Sequence, residues 1–145
     1  MNIRHYIQQI EQQQKEQDAI YHSVAVKYGL SDTALWVLYV VSETEEVLTQ
    51  QDLRRQCFFA KQTINSVIAS LMKANLVTLK AIPGTRNQKS IHLTEAGQAL
   101  AASTTQRLME AENRAYARLT EQELAAYLDM TARLTAALRE ETDRL

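Results

Sequence analysis

The chain has one cysteine, one proline and three glycines among its 145 residues. The single Cys57 cannot form an internal disulfide, which is typical of proteins in a reducing cytosol. So few helix-breaking residues predict long helices. With glycine only at Gly29, Gly84 and Gly97, neither a Walker loop nor a GxGxxG loop can be built, and this excludes the common nucleotide-binding motifs.

Long apolar runs are also absent. No stretch approaches the roughly 18 apolar residues that a membrane-spanning helix needs. Residues 1–5 have neither the charged n-region nor the apolar h-region of a secretory signal peptide. The composition, 46% apolar and 23% charged, is typical of one globular domain. We therefore expect a soluble, cytoplasmic protein with no membrane partner.

Catalytic and metal-binding patterns are missing as well. His5, His22 and His92 are scattered, and there is no HExxH or CxxC spacing for zinc. Asp18 and His22 are four residues apart on one predicted helix, which could supply half a metal site. Such a pair is more often a surface hydrogen bond. We predict no enzyme activity, no catalytic residues, no cofactor and no metal.

Cys57 allows two interpretations. The nearby Arg54 and Arg55 would favour a reactive, redox-sensing thiolate. The position four residues after Leu53 on one helix favours a thiol that packs in the core, and this is the interpretation that we prefer.

Residues 50–94 form the most informative stretch. A short helix from Gln50 to Cys57, a turn and a longer helix from Lys61 to Asn75 precede a hairpin with its tip at Pro83–Lys89. Two helices across a tight turn, followed by a basic hairpin, are typical of a winged helix-turn-helix that binds DNA. The apolar stripe of the longer helix has the helical spacing i, i+3, i+4, i+7 and consists of Ile64, Val67, Ile68 and Leu71.

The opposite face of the longer helix carries small polar residues and no acid, a composition that fits a major groove. Short polar side chains there would contact bases and nearby phosphates, while flanking cations would hold the backbone. The residues predicted to contact bases are Gln62, Thr63, Asn65 and Ser66. Those predicted to hold the backbone are Arg54, Arg55, Lys61 and Lys73, and those in the wing are Arg86, Asn87 and Lys89.

The charge is segregated along the chain. Residues 47–93 contain seven basic residues and one acid, a net charge of +6, whereas the remainder contains nine basic and sixteen acidic residues, a net charge of −7. A local positive field within a nearly neutral protein indicates a nucleic-acid partner, although a basic patch can also be merely solvated.

The flanking segments are predicted to be helical, apart from a short strand at Val47–Leu48–Thr49. One helix follows Thr94 and runs through Leu119, and a capping box at Thr120 starts the last. The fold class is therefore mainly α with a small β-hairpin wing, a winged helix-turn-helix with long terminal dimerisation helices. We expect a single domain, 1–145, in which 1–29 and 95–145 form a helical dimerisation lobe and 30–94 a DNA-binding lobe.

The apolar stripes on the first and last helices exceed what a domain of this size needs to cover, so we expect a homodimer. The alternative is that these helices pack on each other within one subunit. An effector pocket for a small molecule could be lined by His5, Tyr6, Trp36 and Tyr39, although aromatic residues at helical spacing are usually core.

The order of these motifs resembles the MarR family of transcriptional regulators. The resemblance rests on Leu48–Leu53, Lys61–Ile68, Leu71, Leu76-Val77, the Leu93-Thr94-Glu95-Ala96-Gly97 signature after the wing, and Trp36. It implies a homodimer with recognition helices in successive major grooves and wings at the minor groove. It also implies that a small molecule held between the two lobes could release the protein from double-stranded DNA.

The wing departs from the family pattern. Where the family usually has Asp-x-Arg, this chain has Thr85 and Asn87, and Arg86 or Lys89 would have to supply the minor-groove cation. We predict a sequence-specific repressor that acts on a pseudo-palindromic operator. The altered wing favours the rival hypothesis of a winged-helix protein-interaction module that does not bind DNA specifically.

Overall fold

The computed structural model describes residues 1–145 and has the predicted fold class, mainly α with a two-stranded hairpin. The strands pair antiparallel, with Val77 opposite Leu93 and Ala81 opposite Lys89. The elements in order are α1 (Ile3–Lys27), α2 (Asp32–Glu43), α3 (Gln50–Cys57), α4 (Lys61–Lys73), β1 (Val77–Ala81), β2 (Lys89–Leu93), α5 (Glu95–Ser103), α6 (Thr105–Tyr116) and α7 (Glu121–Thr142).

Residues with positive φ end three of the helices, namely Gly29 after α1, Phe58 after α3 and Asn75 after α4. Gly29 (φ +68°) follows α1, and the N–H of Leu30 reaches back to the carbonyl of Ala25. Asn75 (φ +59°) does the same after α4, which therefore ends at Lys73, two residues earlier than predicted. Asparagine can replace glycine here because its short polar side chain tolerates the left-handed conformation.

Two predicted elements were wrong. Residues 47–49 do not form a strand; their link to the hairpin is one hydrogen bond, from the N–H of Ile91 to the carbonyl of Leu48 at 2.8 Å. The predicted helix after Thr94 is interrupted at Thr104, which has φ −127° and ψ −85°. The Ser103 and Thr104 hydroxyls both donate to the carbonyl of Leu100, and such side-chain bonds compete with the helical ladder.

The core of the winged helix lies beneath α4. The predicted apolar stripe of α4 is buried, and it packs with residues of α2, α3 and both strands. A second cluster joins the end of α1 to α2 and the start of α6 through Ala25, Leu35 and Leu108. The core therefore anchors the inner face of α4 and leaves its outer face free.

The signature Leu93–Gly97 joins the wing to the end of α4. The Thr94 hydroxyl donates to the carbonyl of Asn75 at 2.7 Å and accepts from the N–H of Gly97 at 3.0 Å. The N–H of Thr94 donates to the carbonyl of Leu76, also at 3.0 Å. A Cβ atom on Gly97 would lie 1.9 Å from that carbonyl oxygen, so only glycine fits.

The chain divides into two compact units, residues 1–108 and 109–145. In the second unit, α7 begins at the predicted capping box, in which Thr120 and Glu123 cap each other, and no residue of α7 is buried. The division of a single domain into two lobes stays a prediction: a dimerisation lobe of residues 1–29 and 95–145, and a DNA-binding lobe of residues 30–94. No single helix is long and apolar enough to cross a membrane; α1 and α2 meet the length and composition criteria only as a pair, and that pair is bent by 86°.

Candidate nucleic-acid interface

The outer face of α4 is open to solvent. Gln62, Asn65, Ser66 and Lys73 are exposed, and Thr63 is half-buried beside the core. The buried stripe, with Ile64 inaccessible to solvent, fixes the rotation of the helix and so fixes which residues point outward. The structure thus presents the predicted base-contacting residues together; their contact with DNA stays a prediction.

The N-terminus of α4 is uncapped. Side chains of Asn2, Ser31, Thr49, Thr94 and Thr120 cap the helices that follow them. Ala60 precedes α4 in the extended N-cap conformation (φ −62°, ψ +151°) without a side-chain hydrogen bond. The first N–H groups of α4 are therefore free to bind an anion, and the helix dipole favours that binding.

On α3, one of the two predicted arginines is partly neutralised. Arg55 pairs with Asp52, the one acid of the basic stretch, whereas Arg54 has no partner. Asp52 also completes the capping box with Thr49, and the backbone N–H of Thr49 is the main reason that the pKa of this carboxyl is lowered, with Arg55 contributing. Asp52 thus stays ionised, and Arg54 has the freer charge.

The other predicted cations form no ion pairs within the chain. Lys61, Arg86 and Lys89 are exposed, as is Asn87. Arg86 and Asn87 lie in the loop of the hairpin, and Lys89 is the first residue of β2 rather than part of the tip. The Thr85 hydroxyl donates to the carbonyl of Ile82 at 2.7 Å, so it braces the turn where the family pattern has aspartate.

A polar cleft of about 350 Å³ separates the start of α3 from the wing. Gln50, at the first position of α3, also reaches α4, because its Nε2 donates to Oδ1 of Asn65 at 3.3 Å. The cleft is lined by Thr49, Gln50, Gln51, Leu79, Asn87, Gln88 and Lys89.

Sequence reasoning missed Phe58. This residue ends α3 in the left-handed conformation (φ +55°) with its ring 85% exposed, while its N–H donates to the carbonyl of Arg54. A bulky residue rarely adopts this conformation. The signal that could have found it is the absence of glycine or asparagine in a turn that must end one helix and start another within three residues.

The four residues predicted to line an effector pocket occupy two places. Trp36 contacts Tyr39 and Tyr21, with ring centroids 5.6 and 4.9 Å away. His5 contacts Tyr6 near the start of α1, at 5.7 Å. Because α1 rises ~1.5 Å per residue, Tyr6 and Tyr21 are roughly 22 Å apart along it. The aromatic effector pocket stays a prediction.

A cavity of about 480 Å³ lies elsewhere in residues 1–108, and none of those four residues lines it. This volume is in the range of sites for small molecules. The lining contains two carboxylates and no lysine or arginine, and consists of Val41, Ser42, Thr44, Glu45, Glu46, Val47, Ile91, His92, Leu93, Gln98, Ala101 and Gln106.

The remaining candidates from the sequence have structural roles. Cys57 packs against the core, and burial raises the pKa of its thiol, which favours the core interpretation over a reactive thiolate. His22 pairs with Asp32 rather than Asp18, with Nδ1 at 2.9 Å from Oδ1. That contact joins α1 to the first turn of α2.

Comparisons with known proteins agree with this geometry. The model of the MarR family matches residues 28–86. A MarR family regulator from Neisseria meningitidis has 23% sequence identity and a TM-score of 0.77, and the match covers 98% of this chain and 99% of the other. The comparison with curated protein sequences gives no match.

Two further structures were determined as complexes. A MarR family transcriptional regulator from Listeria monocytogenes, complexed with 26mer DNA, has 18% identity and a TM-score of 0.71, over 93% of this chain and 89% of the other. NadR in complex with 4-hydroxyphenylacetate also has 18% identity and a TM-score of 0.71, and the match covers 86% of this chain and 88% of the other. At these identities the likeness establishes the fold.

Proposed function

We propose, because the chain belongs to the MarR family through its winged-helix region at residues 28–86, that it is a sequence-specific DNA-binding repressor. It would act as a homodimer on a pseudo-palindromic operator and be released by a small ligand. That family consists of transcription regulators rather than enzymes.

The outer face of α4 is the observation that carries the DNA-binding proposal. This face is exposed, contains no acid and starts at an uncapped helix N-terminus. It belongs to a stretch with a net charge of +6, in which Asp52 neutralises only Arg55. Polar side chains can contact base edges there while cations and free N–H groups contact phosphates. The Listeria relative in complex with DNA supports the same use of the fold.

A gel shift with DNA from upstream of the protein's own gene tests the proposal. We expect a discrete complex that survives excess nonspecific competitor and disappears with excess specific DNA. The rival hypothesis is a winged-helix module that binds proteins and does not bind DNA specifically, as favoured by Thr85 and Asn87 in the wing. Equal loss of the complex with both competitors would support that rival.

Arg86→Ala should weaken binding and flatten its salt dependence. Arg86 is exposed in the wing and has no partner within the chain, so it is free to contact a phosphate. Losing one phosphate contact should lower the slope of log K against log salt concentration by about one. Fluorescence anisotropy titrations of labelled DNA at several salt concentrations measure this slope.

Arg133→Ala is the matched control, because Arg133 on α7 is equally basic and exposed but pairs with Asp129 outside the basic stretch. Its slope should equal that of the wild type. If both variants lose affinity equally, net charge rather than the wing determines binding.

Exposed apolar faces support the homodimer. On α7, Tyr127, Leu128, Leu134 and Leu138 are 46–69% exposed and share one stripe, and on α1 Ile3, Tyr6 and Ile10 are 47–58% exposed. Contiguous apolar patches of this kind mark interfaces, and a two-fold dimer would bind paired half-sites.

Leu134→Glu should convert the dimer to a monomer, because the carboxylate would enter an apolar interface. Light scattering at micromolar concentration measures the mass. Ala136→Glu, an exposed position on the opposite side of α7, should leave the mass unchanged. A wild-type monomer would contradict the dimer proposal.

A small ligand could act through the cavity of about 480 Å³ or through the aromatic residues Trp36 and Tyr39 with His5 and Tyr6. Support comes from the cavity itself and from NadR, which was determined with 4-hydroxyphenylacetate. A thermal-shift screen of phenolic, metal and fatty-acyl compounds, repeated with bound DNA, tests the proposal: an effector should stabilise the protein and release the DNA.

A further inference from the structure

Gln50 connects α3 to the outer face of α4. Its half-buried side chain donates from Nε2 to Oδ1 of Asn65 at 3.3 Å. It also lines the cleft that contains Asn87 and Lys89. Gln50 is therefore placed to control a side chain on the face that would meet base edges.

The amide of Asn65 has one acceptor oxygen and two N–H donors. Because the amide is planar, a hydrogen bond that turns Oδ1 toward Gln50 turns Nδ2 away from it. An asparagine that binds adenine uses both atoms, since Oδ1 accepts from the N6 amino group while Nδ2 donates to N7. The contact with Gln50 occupies one of the two lone pairs of Oδ1 and turns that atom toward α3, while Nδ2 remains available to donate.

We infer that Gln50 is a positioning residue that sets the base preference of Asn65. With Oδ1 held by Gln50, Asn65 presents Nδ2 to an acceptor edge. In the major groove guanine offers two acceptors, N7 and O6, and adenine offers one acceptor beside a donor. Asn65 should therefore prefer guanine. This inference rests on the proposed function.

Selection from a pool of duplexes with randomised bases tests it. Wild-type protein should enrich guanine at one position of each half-site, and Asn65→Ala should abolish the preference at that position alone, which identifies it. Gln50→Ala frees Oδ1, so the ratio of adenine to guanine at the same position should rise about tenfold. A purely structural role for Gln50 would change affinity for all sequences equally.

Gln50→Glu gives a second test with a different outcome. A carboxylate can only accept, so it would hold Nδ2 and turn Oδ1 of Asn65 outward. Guanine should then be lost in favour of bases with an amino donor, adenine or cytosine. The added negative charge lowers overall affinity, but preferences within one pool are unaffected by it. If Gln50→Ala does not fold, Gln50→Glu by itself still tests whether Gln50 sets the base preference of Asn65.

Gln51→Ala is the matched control, because Gln51 is the next residue of α3 and lines the same cleft, whereas the hydrogen bond to Asn65 comes from Gln50. It should keep the wild-type preference. Unchanged guanine enrichment in both Gln50 variants, or adenine at the Asn65 position in the wild type, would overturn the inference while leaving the proposed function intact. No enrichment by the wild type would overturn both.

Discussion

Gly97→Ala is expected to destabilise the protein by about 3 kcal/mol, a large part of the ~5–15 kcal/mol that holds a domain of this kind together. The new Cβ would lie 1.9 Å from the carbonyl oxygen of Leu76, 3.0 Å from its carbon and 3.2 Å from Cδ2 of Leu93. Because this distance is far shorter than a van der Waals contact, the backbone of Leu76 must move.

Movement of Leu76 has further costs, because its carbonyl accepts from the N–H of Thr94, and the hydroxyl of Thr94 joins Asn75 to Gly97. These bonds join the end of α4 to β2 and α5. The clash should therefore loosen the support of α4 as well as lower the free energy of unfolding.

Gly84→Ala is the matched control. Gly84 has φ +79° and nothing within 4 Å of an added Cβ, so alanine there adds only backbone strain of about 1–2 kcal/mol. Urea unfolding, followed by circular dichroism, compares the two variants. Both are measured at one protein concentration, because the stability of the proposed dimer would depend on concentration. Equal midpoints for both variants would show that the Leu93–Gly97 junction is not tightly packed.

Local signals in the sequence determined much of the fold. The spacing of Ile64, Val67, Ile68 and Leu71 predicts the buried face of α4, and all four are buried. Thr49 and Thr120 begin helices with capping boxes, as expected of hydroxyl residues followed three positions later by an acid. These features depend on neighbours within a few residues, so periodicity and capping rules can find them.

The two wrong predictions concern segments whose structure is determined by contacts between residues distant in the sequence. The sequence contains no glycine or proline near Thr104 that would predict a break in the helix. The break places the buried hydroxyl of Thr105 at 3.1 Å from the hydroxyl of Ser42 on α2. Residues 47–49 have a strand-like composition but share a single backbone bond with β2. Neither outcome is encoded by local propensity.

The candidate site divides in the same way. Exposure of Gln62 and Ser66 follows from helical periodicity. The pairing of Arg55 with Asp52 and that of Gln50 with Asn65 depend on side-chain positions that spacing alone does not select. Helical spacing thus identifies the exposed face, whereas the contacts in the structure distinguish Arg54 from Arg55 and place Gln50 beside Asn65.

Ala60→Asp should stabilise the protein and weaken its binding to DNA. Ala60 already has the extended N-cap conformation but offers no side-chain acceptor to α4. An aspartate carboxylate would accept from the free N–H groups of the first turn and interact favourably with the helix dipole, which contributes about 1 kcal/mol. The unfolding midpoint should rise.

The same substitution removes the N–H groups from a DNA phosphate and adds a negative charge beside it. A hydrogen bond to a charged group contributes ~1.5–3 kcal/mol, so affinity should fall roughly 10-fold to 150-fold. Repulsion between the carboxylate and the phosphate should make the loss greatest at low salt, where screening is weakest. Anisotropy titrations at two salt concentrations, beside thermal unfolding, measure both effects.

Ala60→Ser separates the two causes, because a serine hydroxyl caps the helix without adding charge. It should raise the unfolding midpoint as Ala60→Asp does, with a smaller and less salt-dependent loss of affinity. If Ala60→Asp stabilised the protein and still bound DNA like the wild type, the start of α4 would not contact phosphate. The helix would then have to approach DNA through its side chains alone, and an uncapped N-terminus would have no functional explanation.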